Sequence, residues 1–120
     1  MQFVLMIYQG TTPLPTQPER WATLSDEEQK AVYADYGRLN TMESVTSGPP
    51  LGLPEDAVTV RVADGEVATA AGPYAGAEHA VGGFAVVEAD DLAGAVEVAR
   101  SIPAARLGGA VEIRPVATYW

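Results

Sequence analysis

Residues 2–8, QFVLMIY, decide the fold, because this short run is apolar on both sides of an extended chain. It is rich in β-branched and aromatic residues, and Gly10 and Pro13 follow too closely for a helix of normal length, so we predict a strand. Its side chains alternate between two sets, Phe3, Leu5, Ile7 and Val4, Met6, Tyr8. A strand that is apolar on both sides is typical of a sheet covered on both faces.

Two helices are predicted from their first turns. Ser25-Asp26-Glu27-Glu28 matches a capping box, and the helix it begins should fade between residues 42 and 45. Asp90-Asp91 can cap a second helix, which we expect to continue to Ile102, where Pro103 stops it. Capping explains the two aspartates better than a metal site does, so the sequence predicts two amphipathic helices and no metal.

The remaining apolar segments are short and predict further strands. Asp64-Gly65 is a hairpin signal between alternating residues on either side. We predict strands over 57–62, 66–70, 84–87 and 111–116, a short extended piece at 45–50, and loops over 11–24 and 71–83. Strand, helix, strands, strand, helix, strand is the order of an α+β, ferredoxin-like βαββαβ sheet with an extra β-hairpin, in one domain spanning 1–120.

This arrangement leaves one sheet face without a cover. Both helices pack on the same face of a ferredoxin-like sheet, yet residues 2–8 and 84–87 are apolar on both sides. We therefore predict a homodimer whose protomers pack sheet to sheet, as in a dimeric α+β barrel. The alternative is a monomer in which loops 11–24 and 71–83 fold over the sheet.

Composition excludes several classes of function. The chain has 120 residues, 7 basic and 16 acidic, which gives a net charge of −9 and a pI near 4.3. This charge disfavours nucleic acid and membrane surfaces as partners. No cysteine and one histidine leave no disulfide, thiol or His-rich metal site, and we predict no cofactor. The sequence shows no signal peptide and no transmembrane segment, so we expect a cytoplasmic protein.

The one histidine, His79, is the first candidate catalytic residue. Histidines titrate near neutral pH, and His79 lies on a loop before Gly82-Gly83 that can bend over a cleft of the sheet. Neighbouring side chains in an extended loop point apart, so we do not expect Glu78 to orient it. The alternative is a solvated loop histidine.

Arg114 is the second candidate catalytic residue, because it alternates out of the apolar side of the last strand and can hold an anionic group. Glu112 shares its side and is a candidate ligand contact, and an ion pair between the two is the alternative. Tyr8, Tyr74 and Met6 are further candidate substrate-binding residues, although core packing explains the two tyrosines better. Beyond the last strand, the aromatic residues of Thr118-Tyr119-Trp120 either pack on the partner or close the cleft, or this segment frays.

At this stage the sequence resembles a known family. The strand VLMIY, the helix start LSDEEQ, the hairpin TVRVADGE and the ending VEIRPV occur in the order and spacing of the YCII-related family, in its DGPF-domain branch. The most specific parts are Gly72-Pro73-Tyr74, Gly82-Gly83-Phe84, Ile102-Pro103 and Arg114-Pro115. The resemblance covers nearly the whole chain and implies a dimeric α+β barrel.

The chain departs from the family at the positions that imply catalysis. Ala71 stands where the DGPF sequence has its aspartate. The family's histidine on the first helix is missing, and Ile102 occupies the position of its aspartate before the proline. The resemblance implies either a small cofactor-independent enzyme acting by proton transfer, in isomerisation, cyclisation or elimination, or a non-catalytic homodimer that binds a small molecule or another protein.

Overall fold

A computed structural model of the chain describes residues 1–119; Trp120, for which we predict a place on the partner or a frayed end, lies outside the described residues. Within them the chain forms six strands and three α-helices. The strands are β1 Gln2–Tyr8, β2 Val45–Ser47, β3 Val58–Ala63, β4 Glu66–Ala71, β5 Val81–Glu88 and β6 Ala110–Pro115. The helices are α1 Pro18–Trp21, α2 Asp26–Thr41 and α3 Leu92–Ala99, with short 3₁₀ turns at Pro54–Asp56, Ala77–His79 and Pro103–Ala105.

Four strands form the main sheet, in the order β2-β5-β1-β6, and each neighbouring pair is antiparallel. This is the strand order of the ferredoxin-like βαββαβ fold. The other two strands, β3 and β4, pair only with each other and are inserted between β2 and β5. The structure confirms the predicted α+β fold with an extra hairpin.

The core lies between the sheet and helices α2 and α3. On β1 the set Phe3, Leu5, Ile7 is buried, and so are Val32 and Leu39 of α2. Ala95 and Ala99 supply small side chains from α3, which lets this helix approach the sheet closely. Both helices therefore cover the same face of the sheet, as predicted.

The opposite face of the main sheet, which we call the open face, carries the second set of β1 side chains. Register places Met6 between Phe84 and Glu112, and Val4 between Val86 and Arg114. The Phe84 side chain is 42% exposed, although its ring lies over Gly48, where a Cβ atom would meet ring carbons at 2.7 Å or less. No helix of residues 1–119 packs on this face, so its apolar side chains are only partly covered.

Local signals fix both helix starts. The Ser25 side chain accepts from the Glu28 N–H at 3.1 Å and the Glu28 carboxylate accepts from the Ser25 N–H, which completes the capping box. Asp91 caps α3 by accepting from the Gly94 N–H at 2.9 Å. The predicted end of α3 at Ile102 is wrong. A residue before proline avoids the helical region, so Ile102 is extended and the helix ends at Ala99.

Two boundaries differ from prediction because distant residues set them. The predicted loop 11–24 contains α1, which begins with Pro18 at its first position, and Trp21 at its end packs edge-to-face on Tyr33 with ring centroids 5.6 Å apart. β5 begins at Val81 rather than 84, in spite of its two glycines. Gly82 leaves the space that the Gln9 side chain occupies, since a Cβ atom would meet its Nε2 at 2.8 Å.

Tyr36 on α2 makes the stability of the folded chain depend on pH in the alkaline range. Burial raises the pKa of its phenol above the usual value of 10.0, although a side-chain hydrogen bond with Gln9 and the charge of Arg106 act in the opposite direction. The unfolded chain therefore loses this proton at a lower pH than the folded chain. The stability that the neutral phenol contributes is complete below about pH 10 and is lost as pH rises through the raised folded value.

We expect Tyr36→Phe to make unfolding less dependent on pH above about pH 10, because the variant has no phenol to ionise. Urea denaturation of wild type and variant between about pH 8 and pH 11 measures this. Tyr33→Phe, at an exposed position of the same helix, serves as the control and should keep the wild-type slope. Equal slopes for wild type and Tyr36→Phe would contradict the assignment.

Candidate functional site

A cavity of about 480 Å³ lies where the β3–β4 hairpin leaves the body of the protein. Tyr8, at the end of β1, lines this cavity from the main sheet, and most of the other lining residues belong to the segments before and after the hairpin. Its polar lining consists of Tyr8, Asp56, Tyr74 and His79, and its apolar lining includes Leu51, Leu53, Pro54, Pro73, Ala80 and Val81. The volume and the mixture of apolar walls with a few polar groups are typical of small-molecule sites.

His79 reaches this cavity from the 3₁₀ turn Ala77–His79. Its side chain is 74% exposed, so the imidazole is open to a ligand and to solvent. The expectation that Glu78 points away from it is wrong, because the turn brings Glu78 Oε1 to 3.8 Å from His79 Nε2. Since this distance is too long for a hydrogen bond and both groups are exposed, Glu78 restrains the imidazole only weakly.

Tyr74 lines the cavity from the segment that follows β4 and is 77% exposed. The Arg61 guanidinium of β3 lies over its ring, 5.7 Å from the centroid. This is cation–π distance, so Arg61 restrains the ring and brings a positive charge beside the cavity. Core packing, the alternative for this tyrosine, does not describe so exposed a side chain.

Asp56 is the lining residue that sequence reasoning missed. It ends the 3₁₀ turn Pro54–Asp56, and its N–H donates to the Leu53 carbonyl at 2.9 Å. A proline followed by two acidic residues is a local signal for the start of a helical turn. Nothing in the local sequence indicates that this turn lies beside His79, because the two are 23 positions apart and meet only when the hairpin is formed.

The other three predicted site residues lie elsewhere on the open face. Arg114 is opposite Val4, whereas Tyr8 is four residues further along β1, about 13 Å away at the usual rise of a strand. Met6 and Glu112 form a register pair between these two points. Neither Glu112 nor Arg114 makes an ion pair with any residue of 1–119. The structure thus brings Tyr8, Tyr74 and His79 together and leaves Arg114 outside their cavity.

Across residues 1–119, no three His, Cys, Asp or Glu side chains stand close enough together to hold a metal ion. No helix in the same range has the length and apolar character that a membrane crossing requires.

Comparison with known proteins identifies the family to which the chain belongs. The family model described as the YCII-related domain matches residues 1–119. No curated protein is similar enough to the sequence to be matched with it. Because the family model spans nearly the full length of the sequence, the chain belongs to the YCII-related family.

Proposed function

We propose that this chain is a cytoplasmic, cofactor-independent enzyme that acts by proton transfer on a small, largely apolar carbonyl or carboxylate compound. One observation carries the proposal: His79, Tyr8 and Tyr74 line the same cavity of about 480 Å³. An accessible imidazole beside phenol hydroxyls combines a proton acceptor with hydrogen-bond donors, which is the equipment of general acid–base catalysis.

The cavity chemistry follows from these groups. His79 takes a proton from the carbon next to a carbonyl, and the electron pair moves onto the carbonyl oxygen. A tyrosine hydroxyl donates a hydrogen bond to that oxygen and stabilises the charge as it develops. Return of the proton to another carbon gives an isomer, and departure of a leaving group gives an elimination. Apolar walls such as Leu51 and Leu53 limit the substrate to a small compound with an apolar body.

The proposal includes a homodimer through the open face. Val4, Met6, Phe84 and Val86 are neighbours on two paired strands and form an apolar surface. Glu112 and Arg114 add one charge of each sign, and a two-fold axis pairs such charges reciprocally between protomers. Arg114 lies outside the cavity of its own chain. In the proposed dimer, Arg114 of one protomer can therefore hold an anionic group only in the cavity of the other protomer. Sedimentation of the wild type against Arg114→Glu tests this charge pairing.

A non-catalytic binding protein is the second candidate, and one observation favours it. Within residues 1–119, no hydrogen bond orients the His79 imidazole; its nearest charged group is Glu78 at 3.8 Å. Efficient bases are usually held in place by a third group. In this alternative the same cavity binds the same class of compound without changing it.

Proton exchange separates the two candidates. Small keto acids such as pyruvate and phenylpyruvate are first screened by thermal shift, and the hits are then incubated with the protein in deuterated water. NMR measures deuterium entering the carbon next to the carbonyl. We expect exchange by the wild type and about a 100- to 10,000-fold slower rate with His79→Ala at unchanged affinity, because the general base alone is removed.

Glu78→Ala is the matched control, since it changes the neighbouring exposed side chain and keeps the imidazole. It should retain exchange within a few-fold. Binding without exchange by the wild type would establish the non-catalytic alternative. Equal exchange by the wild type and His79→Ala would remove His79 from the reaction. The single histidine gives imidazole NMR signals that need no assignment, so contact of a hit with His79 can be observed directly.

A further inference from the structure

The β3–β4 hairpin, residues 58–71, forms an arm, and one of its two faces is apolar and exposed. Its strands pair with each other through Val58–Ala71, Val60–Thr69 and Val62–Val67, so these six side chains share a face, which we call the valine face. The four valines are 60% to 67% exposed. Within residues 1–119, no other strand or helix packs substantially on the arm. An isolated two-stranded sheet is marginally stable in water, so an arm of this composition indicates a missing cover.

The dimensions of the chain also indicate that a cover of the arm is missing. Its radius of gyration is 16.1 Å, against about 13.6 Å for a compact domain of this length. Its extents are 51 × 40 × 19 Å, so it is a thin slab of two layers from which the arm does not fold back. The β-turn at the arm's tip, with φ of 51° at Asp64 and 78° at Gly65, is an ordinary hairpin turn and extends the arm without strain.

The exposed surface measures how large the cover must be. The chain exposes 8151 Å², whereas a compact monomer of this mass exposes about 6,200 Å². The excess is about 1,900 Å², which lies within the roughly 1,000 to 2,500 Å² that each protomer of an obligate dimer buries. A small ligand cannot cover so much surface, and one protein-sized partner can.

We propose that the arm clasps a second copy of this chain, so that the valine face of each protomer is buried against the other protomer. A second copy is the occupant because the chain has two apolar surfaces without cover, the open face and the valine face. A two-fold axis covers both surfaces on both protomers with one partner. This inference rests on the proposed homodimer and adds the arm as a second part of its interface.

Matched double variants test the arm by sedimentation equilibrium. Val60→Glu with Val67→Glu adds two charges to the valine face, and Ala68→Glu with Ala70→Glu adds the same charge to the opposite, equally exposed face of the same arm. We expect the first pair to raise the dimer dissociation constant at least about 100-fold, because buried apolar anchors dominate interface energies, and the second pair to change it less than about threefold. Circular dichroism and thermal melting check that both variants fold.

Isotope-filtered NMR gives the direct readout. In mixtures of labelled and unlabelled chains, the valine-face methyl groups should show contacts to the other chain. If the wild-type dimer shows no such contacts and the valine-face variant does not change its dissociation constant, the arm is not part of the interface. The proposed dimer through the open face would not be contradicted by that result. A wild-type monomer at about 100 µM would overturn both, since an obligate dimer forms far below that concentration.

Discussion

Ile102→Asp is expected to leave the domain largely unfolded at neutral pH. Ile102 is 1% exposed and packs in the core with Leu5, Leu39 and Val87. Removing its apolar side chain costs about 2–5 kcal/mol. The buried carboxylate adds several kcal/mol because the buried side chains of this core cluster are all apolar. The total approaches the roughly 5–15 kcal/mol by which whole domains are stable.

The pH dependence of this variant has a definite sign. An apolar site raises the pKa of a carboxyl group, so the folded variant binds its proton more tightly than the unfolded chain, whose aspartate titrates near 3.9. The defect relative to the wild type should therefore be smaller near pH 4 than near pH 7. Urea titrations followed by circular dichroism at both pH values measure it.

Ile102→Val is the control and should cost only about 0.5–1.5 kcal/mol, since it keeps the site apolar. If Ile102→Asp were as stable as Ile102→Val, water would reach this position and our description of the core would be wrong. The experiment also concerns mechanism, because the family resemblance places an aspartate here. A carboxylate cannot be restored in this chain without rebuilding the core around Leu5 and Leu39.

Gly109→Ala is expected to destabilise the protein by about 3 kcal/mol through a clash with backbone atoms that cannot move aside. A Cβ atom at Gly109 would overlap the Tyr8 carbonyl oxygen and approach the Gln9 carbonyl oxygen to 2.7 Å. The Gly109 N–H donates to the Ala104 carbonyl at 2.9 Å, which fixes the chain on the other side. Because Tyr8 lines the cavity, this variant should also weaken ligand binding.

Gly37→Ala provides the matched control, since the same methyl group is added where nothing lies within 4 Å. Gly37 is an exposed position inside α2, and alanine should stabilise this helix by about 0.5–1 kcal/mol. Thermal melts of the two variants should therefore shift in opposite directions. A Gly109→Ala melt equal to that of the wild type would show that β1 and β6 can separate at this end.

The sequence was sufficient where a few neighbouring residues determine the structure. Ser25 and Glu28 fix a helix start within one turn, and Asp64-Gly65 fixes a hairpin turn in two residues. Alternation along β1 divided its side chains into two sets, and the structure places one of them in the core and the other on the open face. The fold follows from these local rules and from the connection rules for strands and helices.

Sequence reasoning failed where distant segments meet. The glycines of β5 have poor strand propensity, and only the Gln9 side chain, more than 70 positions away, explains Gly82. His79 and the two tyrosines could be singled out from the sequence because they are distinctive residue types, whereas Asp56 is one of 16 acidic residues. Arg114 was assigned to the correct face, but distance along a strand cannot be judged without the register.

Most residues that line the cavity lie outside the buried core that stabilises the fold. Apart from Tyr8 and Val81, its lining belongs to residues 51–80, which lie between two strands of the main sheet and contribute no side chain to the buried core. Substitutions there can alter ligand preference while the helices and the central strands remain unchanged. Relatives with this layout can diverge in substrate at little thermodynamic cost, and directed evolution of new specificity should begin by randomising this insertion.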